Sequence, residues 1–163
     1  MNVPVSGVTP VSEMRGEDED ETRRLRDMEA RARDFITSFN WCTAVLDLYF
    51  GDGIGDVFAV FFARIKPARP SVDEYLWIVV GDIPPAYLVI DDSPTPKAAL
   101  ECYIREMRKW VALAKDGKSS RDVIPVNVPA TPQWAGILES RLNALEQKMI
   151  PIWFTVSEEG SPG

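Results

Sequence analysis

Leu25, Met28, Ala32, Phe35, Ile36 and Phe39 recur at the three-and-four spacing of one helix face, with charged residues between them. That pattern predicts a helix over residues 20–39. The next stretch, "WCTAVLDLYF" (41–50), carries two patterns at once. Trp41, Val45 and Leu48 suit a helix, whereas the β-branched and aromatic content and the following "GDGIG" suit a strand, and we read it as a strand. "DVFAVFFARI" (56–65) is apolar at nearly every position and short, which fits a strand buried on both faces. "KPARPSVDE" follows as a loop, because Pro67 and Pro70 oppose regular pairing.

Tyr75–Val80 and Ala86–Ile90 are two further strands, separated only by "GDIPP" (81–85). A connection that short cannot hold a crossover helix, so the two strands form an antiparallel hairpin. In its turn Gly81 can take a positive φ, Asp82 can accept hydrogen bonds from turn amides, and Pro84 and Pro85 set the return path. Thr95 then reads as an N-cap with Pro96 at the first helical position; Leu100, Ile104, Met107, Val111 and Ala114 share one face, and Gly117 closes the helix. An extended connection follows, with room for a short strand at Val123–Val126. Thr131 and Pro132 repeat the helix start, and Trp134, Leu138, Leu142, Leu145 and Met149 trace a third helix that Pro151 stops.

This order spells an α+β fold: an antiparallel four-stranded meander preceded by one helix and followed by two. Tyr75, Trp77 and Val79 point to one face of the sheet and Leu76, Ile78 and Val80 to the other, so both faces are apolar. Either three helices divide between the two sides, or a second subunit covers one of them.

Composition divides the chain further. Residues 1–20 combine Pro, Gly and Ser with an acid run and read as a disordered acidic tail; residues 21–155 form a single α+β domain, and residues 156–163 a frayed C-terminus. The net charge of −7 is concentrated near the start, where residues 1–21 hold six acids and one base, leaving 19 acids and 17 bases for the remainder. With no clustered basic stripe to displace counterions from phosphates, nucleic acid is not an expected partner. The longest apolar runs fall far short of a membrane span, and no secretory leader pattern is present. Cys42 and Cys102 lie far apart without a CxxC spacing, which fits a reducing, cytoplasmic compartment.

The chain contains no histidine. Ser-His-Asp and Cys-His mechanisms, HExxH zinc sites and imidazole proton shuttles are therefore out of reach, and neither GxSxG nor a phosphate-loop GxxxxGK[ST] occurs. No cofactor or metal is expected. "GDGIGD" (51–56) lacks the lysine and following helix of a phosphate loop and reads as a hairpin turn. Asp73, Glu74, Asp82, Asp91 and Asp92 sit at strand ends and turns, where aspartate is favoured for local reasons. Aromatic residues offer more, since they combine large apolar area with a polar handle. Trp77, Asp82, Tyr87 and Trp110, with Arg105 and Arg108 of a basic patch that also holds Lys109, are the candidate binding residues.

"WIVVGDIPPAY" followed by "PTPKAALECYIREMRKW" resembles a group of small uncharacterised bacterial proteins. In that group an aromatic strand leads into Gly-Asp-Leu-Pro-x-x-Tyr and a later helix carries a Trp. The resemblance covers about residues 75–110, rests on Gly81, Asp82, Pro84 and Tyr87, and implies no established activity. Here Pro-Pro-Ala occupies positions where that group often has a polar residue before the tyrosine. Small acidic α+β proteins also include toxin-neutralising immunity proteins, an analogy of fold alone. The functional expectation is a non-enzymatic module that binds a protein partner or itself as a homodimer. A small-ligand binder and a carboxylate- or metal-dependent enzyme are the alternatives.

Overall fold

A computed structural model describes residues 3–90, 93–120, 123, 124, 126, 128–147 and 150. The chain divides into two compact units, residues 1–100 and 101–163. In the first, the helix α1 (Glu19–Thr37) accompanies an antiparallel sheet of β1 (Thr9–Pro10), β2 (Cys42–Ile54), β3 (Phe58–Pro67), β4 (Tyr75–Gly81) and β5 (Ala86–Leu88), ordered as in the sequence. The helix α2 (Pro96–Lys115) opens in the first unit and continues through the second, which also holds α3 (Pro132–Ala144). The fold is α+β with an antiparallel sheet, as expected, but the sheet has five strands rather than four.

The fifth strand comes from the segment expected to be a solvated leader. Thr9 and Pro10 pair with Phe50 and Tyr49, and Met14 is buried. Its acid run belongs to the start of α1. Asp18 caps that helix, its Oδ1 accepting from the Glu21 amide at 2.8 Å, and Glu19, Asp20 and Glu21 fill the first turn. Carboxylates there meet unpaired amides and the positive end of the helix dipole, so the acids are placed by helix physics. Glu21 reaches further and accepts the Gly55 amide at 2.6 Å, while Arg24 lies 3.6 Å from Asp56. The first turns of α1 thereby hold the tip of the β2–β3 hairpin.

β2 departs from simple alternation. Its register against β3 shifts three times, between Cys42 and Ala44, Val45 and Asp47, and Phe50 and Asp52. Each shift is a β-bulge that inserts one residue and turns the following side chains to the other face. Cys42, Val45, Leu48 and Phe50 consequently all reach the α1 side, where they join Leu25, Met28, Ala32 and Ile36 of α1 with Phe61, Ile65, Leu76, Ile78 and Val80 of the sheet. β2 also runs further than expected, through Ile54, so the hairpin turn is not the whole of 51–56. It is confined to Ile54–Val57, closed by the Val57 amide on the Ile54 carbonyl at 2.9 Å with Asp56 at φ 67°. Gly53 serves a close approach instead: a Cβ there would stand 2.7 Å from the Phe58 carbonyl oxygen.

On the opposite sheet face Phe58, Val60, Phe62, Trp77 and Val79 have no exposed surface. The Trp77 indole donates to the Ser93 carbonyl at 2.7 Å and its ring lies 5.0 Å from that of Phe62. The named β3 and β4 residues on both faces are thus buried. Towards its edge this face becomes polar. Arg64, which stands between Asp47 and Tyr75 across the strands, bonds Glu74 at 2.7 Å and Asp47 at 3.3 Å, and those two hydrogen bonds push its guanidinium pKa up further. Glu74 and Asp47 thereby serve sheet pairing.

α2 starts as its sequence implies, with the Ala98 amide on Thr95 Oγ1 at 3.1 Å. It closes with the Gly117 amide on the Ala114 carbonyl and the Lys118 amide on the Leu113 carbonyl, both at 2.9 Å. That paired closure satisfies two of the orphan carbonyls at the helix end. Leu100, Ile104, Met107, Val111 and Ala114 are buried as the spacing requires, joined by Tyr103 and Trp110. α3 is capped by Thr131, whose Oγ1 accepts from the Trp134 amide at 3.3 Å. Ala135, Leu138 and Leu142 form its buried face, whereas Trp134, expected on that face, is 40% exposed. Val123, Ile124 and Val126 carry no strand. Asp91, Asp92, Pro125, Met149, Pro151, Trp153 and the tail at 156–163 lie outside the described residues. Among the described residues no helix is long and apolar enough to cross a membrane.

Burial raises the Tyr103 phenol above its ordinary pKa of 10.0. Unfolded chains release that proton near pH 10, while the folded state holds it to higher pH, so folding binds an extra proton there and stability falls as pH rises past 10. The Tyr103→Phe variant should lose distinctly less stability than wild type between pH 9 and pH 11, read from urea midpoints at each pH. Equal losses in the two proteins would show that the phenol is not the titrating group.

Candidate functional site

Four aromatic rings meet where α1 ends and β5 runs along the sheet edge. After Thr37 the chain turns tightly: the Ser38 hydroxyl donates to the Phe35 carbonyl at 2.6 Å, and the Cys42 amide bonds the Phe39 carbonyl at 3.2 Å. This reversal stacks Trp41 against Phe39 with centroids 4.9 Å apart and planes 20° apart. The Trp41 carbonyl is in turn tied to the Ala68 amide at 2.9 Å, beyond the far end of β3. Tyr87 stands opposite Ile78 and therefore projects to the α1 side of the sheet. Its ring lies 5.2 Å from Phe39, 5.0 Å from Trp41 and 6.5 Å from Phe35. These separations and tilts are those of mutually attracting rings.

The cluster is only half withdrawn from solvent. Phe35, Phe39 and Trp41 are partly buried, Tyr87 is 37% exposed, and the neighbouring Val89 is 45% exposed. Large apolar side chains gathered at one exposed place mark an interaction surface more often than scattered ones do. Of the residues singled out from sequence, Tyr87 belongs to this cluster. Asp82 sits exposed in the β4–β5 turn, its amide donating to the Val57 carbonyl at 3.0 Å.

Trp77 and Trp110 require correction. Trp77 has no exposed surface and Trp110 only 4%, so neither presents a ring to a partner. Strand and helix spacing cannot say which aromatic ring lies over a core and which over its rim. Phe35, Phe39, Trp41 and Val89 were not among the sequence candidates. One signal for the first two was present: Phe35 beside Ile36 widens the apolar stripe of α1 beyond what Leu25, Met28, Ala32 and Ile36 need.

Arg105 and Arg108 line a groove of about 440 Å³ in the second unit, with Glu101, Ile104, Glu146 and Ile150. Arg108 is held by Asn143 at 3.0 Å and Glu146 at 3.1 Å, and Lys109 lies 3.0 Å from Glu106. The basic patch read from sequence is therefore largely neutralised by its own neighbours. Among the described residues no three His, Cys, Asp or Glu side chains are placed to hold a metal ion. No family model matches the chain, and neither does any curated protein or solved structure.

Proposed function

We propose that the chain is a non-enzymatic, cytoplasmic protein-interaction module whose contact surface is the ring cluster of Phe35, Phe39, Trp41 and Tyr87 with Val89. The observation that carries this reading is the 37% exposure of Tyr87 against three further half-buried aromatics, with Val89, two residues further along the chain, 45% exposed. Such an assembly supplies rigid rings with few rotatable bonds, so little entropy is lost when a partner covers them, and aromatic anchors of this kind dominate interface energetics. Cys42 and Cys102, both free, suit a reducing compartment. An immunity-like antagonist and a self-associating protein are both modules of this kind.

The test compares the full chain with its Tyr87→Glu variant as immobilised baits in quantitative capture from cell lysate, after matching their thermal melts. A charge placed among the rings should reduce retained partners roughly tenfold or more, the usual consequence of disrupting a central anchor. Retention of every partner by a variant that melts like wild type would defeat the proposal.

A further inference from the structure

Glu101, Ile104, Arg105 and Arg108 recur at the three-and-four spacing of one face of α2, and with Glu146 and Ile150 they line the groove of about 440 Å³ in the second unit. That volume lies within the range of small-molecule sites. Arg108 is already committed, to Asn143 at 3.0 Å and to Glu146 at 3.1 Å. Ile104 and Ile150, 2% and 8% exposed, supply apolar wall. The two remaining charges are uncommitted. Among the described residues neither Glu101 nor Arg105 takes part in an ion pair or a side-chain hydrogen bond. Yet a glutamate four residues before an arginine is the order that favours pairing along a helix. Both side chains line the groove and leave each other unpaired.

We propose that this groove binds a free α-amino acid with an apolar side chain, its ammonium on Glu101, its carboxylate on Arg105 and its side chain against Ile104 and Ile150. The site shares no residue with the ring cluster and stands whether or not that cluster meets a protein. Charge selects the ligand class. The lining holds two carboxylates and two guanidiniums, and Arg108 and Glu146 cancel each other, which leaves one acceptor and one donor fork. An anion drawn to Arg105 would also meet Glu101, and an amine drawn to Glu101 would also meet Arg105. A molecule carrying both charges escapes both penalties. The spacing suits it as well. Four residues of helix set Glu101 and Arg105 about 6 Å apart along the axis, and an α-amino acid carries its ammonium and carboxylate on a single carbon that fits between them. The guanidinium can donate two parallel hydrogen bonds to the carboxylate. Glu101 and Arg105 are exposed, so water competes and the dissociation constant is expected on the order of 1 mM.

L-leucine is the probe, titrated into the full, isotope-labelled chain and followed through its amide chemical shifts. The expected result is a saturable shift at residues 101–108 and at Glu146. Isopentylamine and 4-methylpentanoate, which keep the apolar chain and one charge each, should bind at least about tenfold more weakly. Glu101→Gln and Arg105→Gln should each raise the L-leucine constant roughly tenfold, as loss of one charged hydrogen-bond partner does. Both positions are exposed, so both variants should melt like wild type. Lys118→Gln, exposed and outside the groove, should leave the constant unchanged. Absence of a saturable shift at these residues up to about 20 mM L-leucine overturns the proposal. Equal binding of either single-charge analogue overturns it too, as does a constant that Glu101→Gln or Arg105→Gln leaves unchanged.

Discussion

Gly81→Ala is expected to cost about 3–5 kcal/mol of folding stability, far more than an ordinary turn substitution, because two separate penalties coincide at this residue. Gly81 has φ +146°, a backbone region that residues with a Cβ rarely adopt. The second penalty is steric: an added Cβ would stand 2.7 Å from the Phe58 Cα and would also collide with the Val57 carbonyl oxygen. Both obstacles are backbone of the paired strand, so no side-chain rotation relieves them. The surroundings leave little freedom either. Gly81 pairs with Phe58, the Asp82 amide bonds Val57 at 3.0 Å, and Arg31 of α1 donates to the Gly81 carbonyl at 2.8 Å. Urea unfolding is the measurement. A loss of less than about 1 kcal/mol would mean that the turn relaxes to negative φ without disturbing β3.

Trp77→Ala carries a loss of similar size, about 3–5 kcal/mol, as expected for truncating a fully buried indole. Trp77 lies under the sheet face with no exposed surface, against Phe62, and its Nε1 satisfies the Ser93 carbonyl. Trp77→Phe separates the two contributions. It keeps most of the ring contact but leaves a buried carbonyl without its donor, and should cost about 1–3 kcal/mol. Equal losses for the two variants would place the whole effect in the hydrogen bond, and a neutral Trp77→Phe would place it in packing.

Where local pattern and tertiary structure agree, the chain was readable in advance. The antiparallel hairpin of β4 and β5 forms about its Gly-Asp-x-Pro-Pro turn, though β5 ends at Leu88 rather than Ile90, and both long C-terminal helices begin at a Thr-Pro pair whose threonine caps as expected. β2 was ambiguous for a definite reason. Bulges set Cys42, Val45, Leu48 and Phe50 on one face at spacings of three, three and two, which imitates a helix period inside a strand. The acid run before α1 was misread through composition, which cannot tell a solvated tail from a helix cap. The ring cluster was the least legible feature. Its members come from a helix end, a strand start and an edge strand, brought together only by the tertiary fold.

The bulged side of β2 limits how far anything can be built from this molecule. Three bulges and a charged residue along that margin deny an arriving strand the straight ladder it would need, so chain cannot add to chain there and that route toward fibrous polymer is closed.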